Sequence, residues 1–246
     1  MNAFLKEKKR FLISVAFYAF VYFLFVFAVT EVLLAFPDLT QTLDGEVVLT
    51  AGGAALQNFI NYTILFVGIF WFLRADILGD FKDYFVTKKR SVFKVLLVGL
   101  GFVAFGFVTS AIVGALTAAF EIPPSANQSF LGVLLQSEFA LPFAFMAIVL
   151  GPVVEEMIFR KALFSLIHNP IYAVVVSAVL FSVIHLGAEP TISSFLVNSL
   201  AYLIPGVIFG LLYLRYNKNI APLMVIHILN NLISVLLTLL QLSLVE

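Results

Sequence analysis

Long apolar runs separated by short polar connections make up this chain. Seven runs are long enough to matter, at about residues 11–35, 53–73, 92–119, 139–167, 170–188, 193–215 and 220–241. A helix needs roughly 20 apolar residues, rising about 1.5 Å each, to cross a bilayer. The pattern therefore predicts an all-α fold, a polytopic transmembrane helix bundle of about seven spans in a single domain, 1–246. The count becomes eight if the short LGVLLQS ahead of the fourth run forms a further interfacial piece.

Composition sharpens this reading. The chain is 62% hydrophobic and 11% charged, whereas a soluble domain is nearer half apolar and a quarter charged. So little charge cannot cover a soluble surface. The zero net charge argues against nucleic acid as a partner. With no cysteine there is no disulfide, thiol nucleophile or cysteine-based metal site. The basic start followed by apolar sequence resembles a signal peptide, but the run is too long for one and lacks a small-residue cleavage site. It reads as a first transmembrane helix that is retained.

Charge distribution sets the expected orientation. Lys6, Lys8, Lys9 and Arg10 precede the first run, and Arg74, Lys82, Lys88, Lys89, Arg90 and Lys94 lie in or beside the second connection. Arg160 and Lys161 close the fourth run, and Arg215 and Lys218 separate the sixth from the seventh. Together these are all 14 Lys and Arg. The alternate connections, about 36–52, 120–138 and 189–192, contain no Lys or Arg and carry Asp38, Asp44, Glu46, Glu121 and Glu189 instead. By the positive-inside rule, the N-terminus is cytoplasmic and the number of spans is odd. The stretch DILGDFKDYFVTKKR at 76–90 reads as an amphipathic connector, most simply a solvated loop anchoring the bundle.

Against this background GPVVEEMIFR, residues 151–160, stands out. Ionisable residues within spans are costly and usually functional. The tight HNP turn at 168–170, with Pro170 suited to a first helical turn, serves as a depth marker. Glu155 and Glu156 precede it by roughly 20 Å of helix, and His185 follows it by roughly 24 Å. On the seventh run His227 and Asn231 lie about 12 and 18 Å in. Three helices thus bring polar groups to a similar depth. Glu156 and Arg160, four apart, share a face and can pair, whereas Glu155 points elsewhere. Phe181, one turn before His185, is placed to pack on its ring. His168 belongs to the turn surface. Asn58, Asn61 and Asn198 read as interhelical hydrogen-bonding groups, and Glu31 and Glu138 as interfacial.

Glu155, two histidines and an amide suit hydrolysis by activated water. Glu155 would be the general base with His185, while His227 and Asn231 would donate to an oxyanion. No cofactor is needed for this glutamate mechanism. Glu155, His185 and His227 would equally make a His₂Glu zinc set with an open position. Two other classes use the same residues: a non-enzymatic immunity or scaffold protein that holds a peptide, and a proton-coupled transporter. The transporter ranks last, because neither internal repeats nor matching broken segments are visible.

These residues resemble the CPBP family, the CAAX proteases and bacteriocin-processing enzymes, also called Abi. EEMIFR at 155–160 is similar to the family's EExxxR, FSVIH at 181–185 to FxxxH, and HILNN at 227–231 to HxxxN. The likeness covers about 140–235, the expected catalytic core. It implies an intramembrane endopeptidase of a bacterial cell membrane, acting on peptides or membrane-associated proteins. It further implies Glu155 and His185 as the water-activating pair, His227 and Asn231 as oxyanion donors, and Glu156 and Arg160 in support. Members are commonly labelled metalloproteases, and a metal-free glutamate mechanism has also been argued for the fold. Lys161 departs from the small residue that often follows the arginine. Access to the site is expected from the cytoplasmic side.

Overall fold

The computed structural model describes residues 3–186 and 189–244. Helix α1 covers residues 3–34, with a π turn at Val21–Phe25. Helix α2 is Ala51–Phe81, continued by a π turn at Lys82–Thr87. Helix α3 is Val92–Ala119 and α4 is the short Ala126–Leu134. Helix α5 covers Ala140–Leu166 and contains two π turns, Met146–Leu150 and Glu156–Ala162. Helices α6, α7 and α8 are Pro170–Ile184, Ile192–Arg215 and Ala221–Ser243.

Five of these helices, α1, α3, α5, α7 and α8, are long and apolar enough to cross a membrane. Helices α2 and α6 occupy the two other predicted runs. Helix α6 has only 15 residues, about 22 Å against a hydrocarbon core of about 30 Å. It stops at His185, so the expected helix 170–188 is shorter than its apolar run; residues 187 and 188 lie outside the described residues. At nine residues, α4 is too short to span, and it supplies the extra piece suspected ahead of the fourth run.

Local chemistry sets the boundaries. The Asn169 side chain accepts hydrogen bonds from the backbone of Ile171 and Tyr172 at 2.9 and 3.2 Å, ahead of Pro170, as the HNP turn predicts. The first acidic connection contains an unforeseen hairpin of β1 (Thr40–Leu43) and β2 (Glu46–Leu49). Asp44 and Gly45 turn it, both with positive φ, which is the requirement of a type I′ turn and the reason Asp-Gly favours one. The 76–90 segment is also more ordered than a loop. Its first half continues α2, where Asp76 pairs with Arg10 at 3.0 Å and Asp80 with Lys161 at 2.6 Å. Asp80 accepts a further bond from the backbone N–H of Ile220 at 3.1 Å. One carboxylate thereby fastens the end of α2 to α5 and to the start of α8. Lys161, the departure from the family pattern, has its role in this junction.

Helix α5 is the central element: 56% of its span is buried, against 22–28% for the other four. Val154 and Met157 are fully enclosed. The outward faces carry large apolar side chains, among them Phe27, Trp71, Leu141 and Ile192, as a lipid-facing surface requires. Helices α6 and α7 pack closely through Gly206 and Gly210, a small-xxx-small pair. A Cβ on Gly206 would meet the Ala178 Cα at 3.0 Å, and one on Gly210 would meet Val174 at 3.2 Å. This contact places Phe181 and Phe209 beside the polar centre.

Gly206→Leu should therefore lower stability by about 1–3 kcal/mol through overpacking. Gly114→Leu, where a Cβ has nothing within 4 Å, should stay within about 0.5 kcal/mol of the parent. Thermal unfolding in detergent measures both.

Candidate active site

The polar centre forms where α5, α6 and α8 meet. Its first element is a clamp on His227. The Nδ1 atom of His227 lies 3.0 Å from Glu156 Oε1, and Nε2 lies 3.6 Å from Glu155 Oε2. Adjacent residues of an α-helix diverge by about 100°, and the switch to π geometry at Glu156 adjoins the point where both carboxylates meet one ring. Glu156 also faces Arg160 Nε at 3.5 Å, so its expected pairing is present. The shorter contact, however, is to His227, a role the sequence reading did not foresee.

Arg160 is fully buried, and its guanidinium makes no hydrogen bond among the described residues. Its charge is held by Glu156 and by the faces of Phe181 and Phe209, whose ring centres lie 5.3 and 5.5 Å from it. Those two rings also pack on the histidines, Phe181 on His185 at 4.6 Å and Phe209 on His227 at 4.8 Å. The arginine thus fixes the aromatic wall behind both imidazoles.

His185 occupies the C-terminal cap of α6. Its Nδ1 donates to the Phe181 carbonyl at 2.7 Å, satisfying one of the carbonyls a helix end leaves open. The Tyr22 hydroxyl donates to the Ile184 carbonyl at 2.9 Å. A carbonyl only accepts, so Nδ1 carries the proton, and the Nε2 lone pair of neutral His185 faces Glu155 Oε1 at 3.8 Å. On its other side the ring stacks on Tyr202, with centres 4.7 Å apart and planes at 17°. The Tyr202 hydroxyl accepts from Asn127 of α4 at 3.1 Å. Tyr202, Asn127 and Tyr22 are support residues that sequence reasoning missed. For Tyr22 and Tyr202 the available signal was a hydroxyl within an apolar run; Asn127 lies in the polar PSANQS connection, which gave none.

Asn231 reaches the same space, but its amide donates to the Ala147 carbonyl at 2.9 Å. That carbonyl belongs to the first π turn of α5, which ties α8 to α5. Asn231 Oδ1 accepts from Asn230 at 3.2 Å, leaving the second amide hydrogen of Asn231 for a ligand. Asn198 bridges to Glu189 at 2.9 Å, as a tethering residue should. Asn58 instead returns its amide to the Ala54 carbonyl of its own helix. Asn61 is buried, and its side-chain oxygen is unpartnered among the described residues. His168, Glu31 and Glu138 are exposed.

Glu155, His185, His227 and Asn231 all border a cavity of about 530 Å³. From the level of Glu155 it runs past Asn127 and Ser234 toward the acidic end of the bundle. Toward the basic end, where the sequence expectation puts access, Met157, Ile158 and Phe159 are buried beneath the glutamates and none of them lines this cavity. The same geometry does not assemble the zinc set. The two Nε2 atoms address different oxygens of Glu155, and no group of three or more His, Asp or Glu among the described residues could hold a metal ion.

Fold and site together define an integral membrane helix bundle with a buried glutamate–histidine centre. Residues 137–233, which contain all three motifs, match the family described as type II CAAX prenyl endopeptidase Rce1-like, in line with the resemblance of those motifs to the CPBP family. An uncharacterized protein of Mycoplasma capricolum subsp. capricolum is 30% identical over 95 residues, 39% of this chain and 27% of that relative. The chain thus aligns with little more than a quarter of that relative's length. No solved structure matches the chain significantly.

Removing Glu156 should strand Arg160 without a counter-charge. Glu156→Ala is expected to cost about 3–5 kcal/mol, and adding Arg160→Met should recover part of that loss. A double-mutant cycle on thermal unfolding gives the answer; strictly additive losses would contradict the pairing.

Proposed function

We propose that this protein is an intramembrane endopeptidase that hydrolyses peptide bonds of membrane-associated proteins or peptides by glutamate- and histidine-activated water. One observation carries the proposal: the two oxygens of buried Glu155 face Nε2 of His185 at 3.8 Å and Nε2 of His227 at 3.6 Å, beside a cavity with room for a peptide segment. The family match over 137–233 supports the same reaction class.

In this reading a water molecule sits between Glu155 and the unprotonated Nε2 of His185. Glu155 takes one proton as the water oxygen bonds to the peptide carbonyl carbon. The carbonyl oxygen becomes an oxyanion, which accepts from the free amide hydrogen of Asn231. It also accepts from Nε2–H of His227 in the doubly protonated ring, whose Nδ1–H is donated to Glu156. The C–N bond then breaks, the leaving amine takes the proton from Glu155, and the new carboxyl product departs. Exclusion of water by the apolar wall strengthens each of these interactions.

The family label, CAAX prenyl endopeptidase, suggests lipid-modified peptides as one substrate class. Peptide maturation and bacteriocin self-immunity are the biological settings the resemblance favours. The concentration of Lys and Arg at one end supports a cytoplasmic N-terminus.

Purified Glu155→Gln and His185→Ala proteins should keep the parent's unfolding temperature within a few degrees and lose turnover of a cleaved membrane peptide by about 10²–10⁴-fold. Asn231→Ala should lower kcat by about 10²–10³-fold with little change in substrate affinity. Full turnover by Glu155→Gln would overturn the assignment. A purely peptide-holding protein would instead retain its cellular effect in all three variants.

A further inference from the structure

A second cavity, of about 590 Å³, lies at the basic end of the bundle, away from the glutamate–histidine centre. Three segments build it: the connector after α2, the first turns of α3, and the junction of α7 with α8. Its cations are Lys88, Lys89, Arg90, Lys94 and Arg215, and its one carboxylate is Asp83. Lys88 already pairs with Asp83 at 2.8 Å. The other four make no ion pair among the described residues, and they converge on one concave space rather than spreading over a surface.

The walls suit a phosphate at the membrane boundary. Tyr84 and Tyr216 meet edge to face with centres 5.9 Å apart and form one side. Burial raises both hydroxyls above their ordinary range, while Arg90 acts in the opposite sense on Tyr84 and Arg215 on Tyr216. Each tyrosine therefore keeps its proton as a donor beside a guanidinium. Lys89 and Asn217 hold left-handed backbone conformations, with φ of 47° and 55°. The 28-residue helix α3 begins at Ser91 on the cavity wall, so its N-terminal dipole adds to the positive field. Deeper in, Val98 and Leu212 belong to the membrane-spanning helices and give the cavity an apolar side.

From this convergence we propose that the basic-end cavity binds a phosphate-bearing anionic headgroup, that of a membrane lipid such as phosphatidylglycerol. Arg90, Arg215 and Lys89 hold the phosphate, Tyr84 and Tyr216 donate to it, and the glycerol and first acyl carbons lie against Val98 and Leu212. A basic pocket at this level meets the anionic leaflet that the positive-inside asymmetry selects. The readout below is binding alone, so its outcome is separable from peptidase activity.

Short-chain phosphatidylglycerol is titrated by calorimetry into full-length protein in phosphatidylcholine nanodiscs, with short-chain phosphatidylcholine as the neutral comparison. The triple variant Lys89→Gln/Arg90→Gln/Arg215→Gln should raise the Kd about a hundredfold, roughly fivefold per cation. A control triple, Lys9→Gln/Arg74→Gln/Lys82→Gln, removes the same charge outside the cavity and should change it less than twofold. Arg215→Gln alone should raise the Kd about fivefold and serves if the triple variant unfolds. Equal losses in the two triples, or unchanged affinity in the cavity triple, overturn the proposal. In a separate arm, saturable binding of inorganic phosphate that the cavity triple abolishes, without phosphatidylglycerol binding, supports the phosphate site and overturns its lipid source.

Discussion

The structure depends on one constraint: two adjacent carboxylates must be kept inside an apolar bundle. Glu156 is neutralised in place by Arg160 and by the Nδ1 side of His227. Glu155 pairs with no Lys or Arg among the described residues and faces two imidazoles through a gap of 3.6–3.8 Å. Burying such charge costs several kcal/mol per ion unless it is compensated. The compensation here is unequal: Glu156 is paired closely on two sides, while the contacts of Glu155 are longer.

Much of the surrounding architecture meets this constraint. The π turns of α5 lie at the two places where other elements must connect. One offers the Ala147 carbonyl to Asn231, and the other begins at Glu156. π turns are rare and cluster at functional sites, which agrees with their placement. Helix α6 ends early, so His185 caps it rather than lying within it, and the cap hydrogen bond selects the ring tautomer. The glycine contact between α6 and α7 brings Phe181 and Phe209 behind the rings. At the far end, Asp80 ties α2, α5 and α8 together, so the helices that carry the glutamates and His227 share one anchor.

Spacing in the sequence revealed a good part of this. The apolar runs gave the helices, Asn169-Pro170 gave the hairpin, and the i,i+4 rule gave the Glu156–Arg160 pair. The common depth of Glu155, His185 and His227 followed from a rise of about 1.5 Å per residue. Other features were less legible because they depend on departures from regular helix. A uniform 3.6-residue period cannot place a π turn, so the second partner of Glu156 went unseen. The apolar run continues past His185, so periodicity overshot the end of α6. The direction of the cavity depends on how large side chains pack below the glutamates, where Met157, Ile158 and Phe159 are buried. The hairpin was signalled by Asp44-Gly45 between short Thr- and Val-containing stretches, a pattern overshadowed by the hydrophobic runs on either side.

The central claim is that the protein's own groups, Glu155 with the two imidazoles, activate the water. Its most direct test is peptide cleavage by the purified protein in detergent, with and without a strong chelator, with metal content measured on the same sample. The account predicts turnover that is unchanged by the chelator, at a metal content far below one ion per chain. Loss of turnover on chelation, restored in proportion to added zinc, would contradict it.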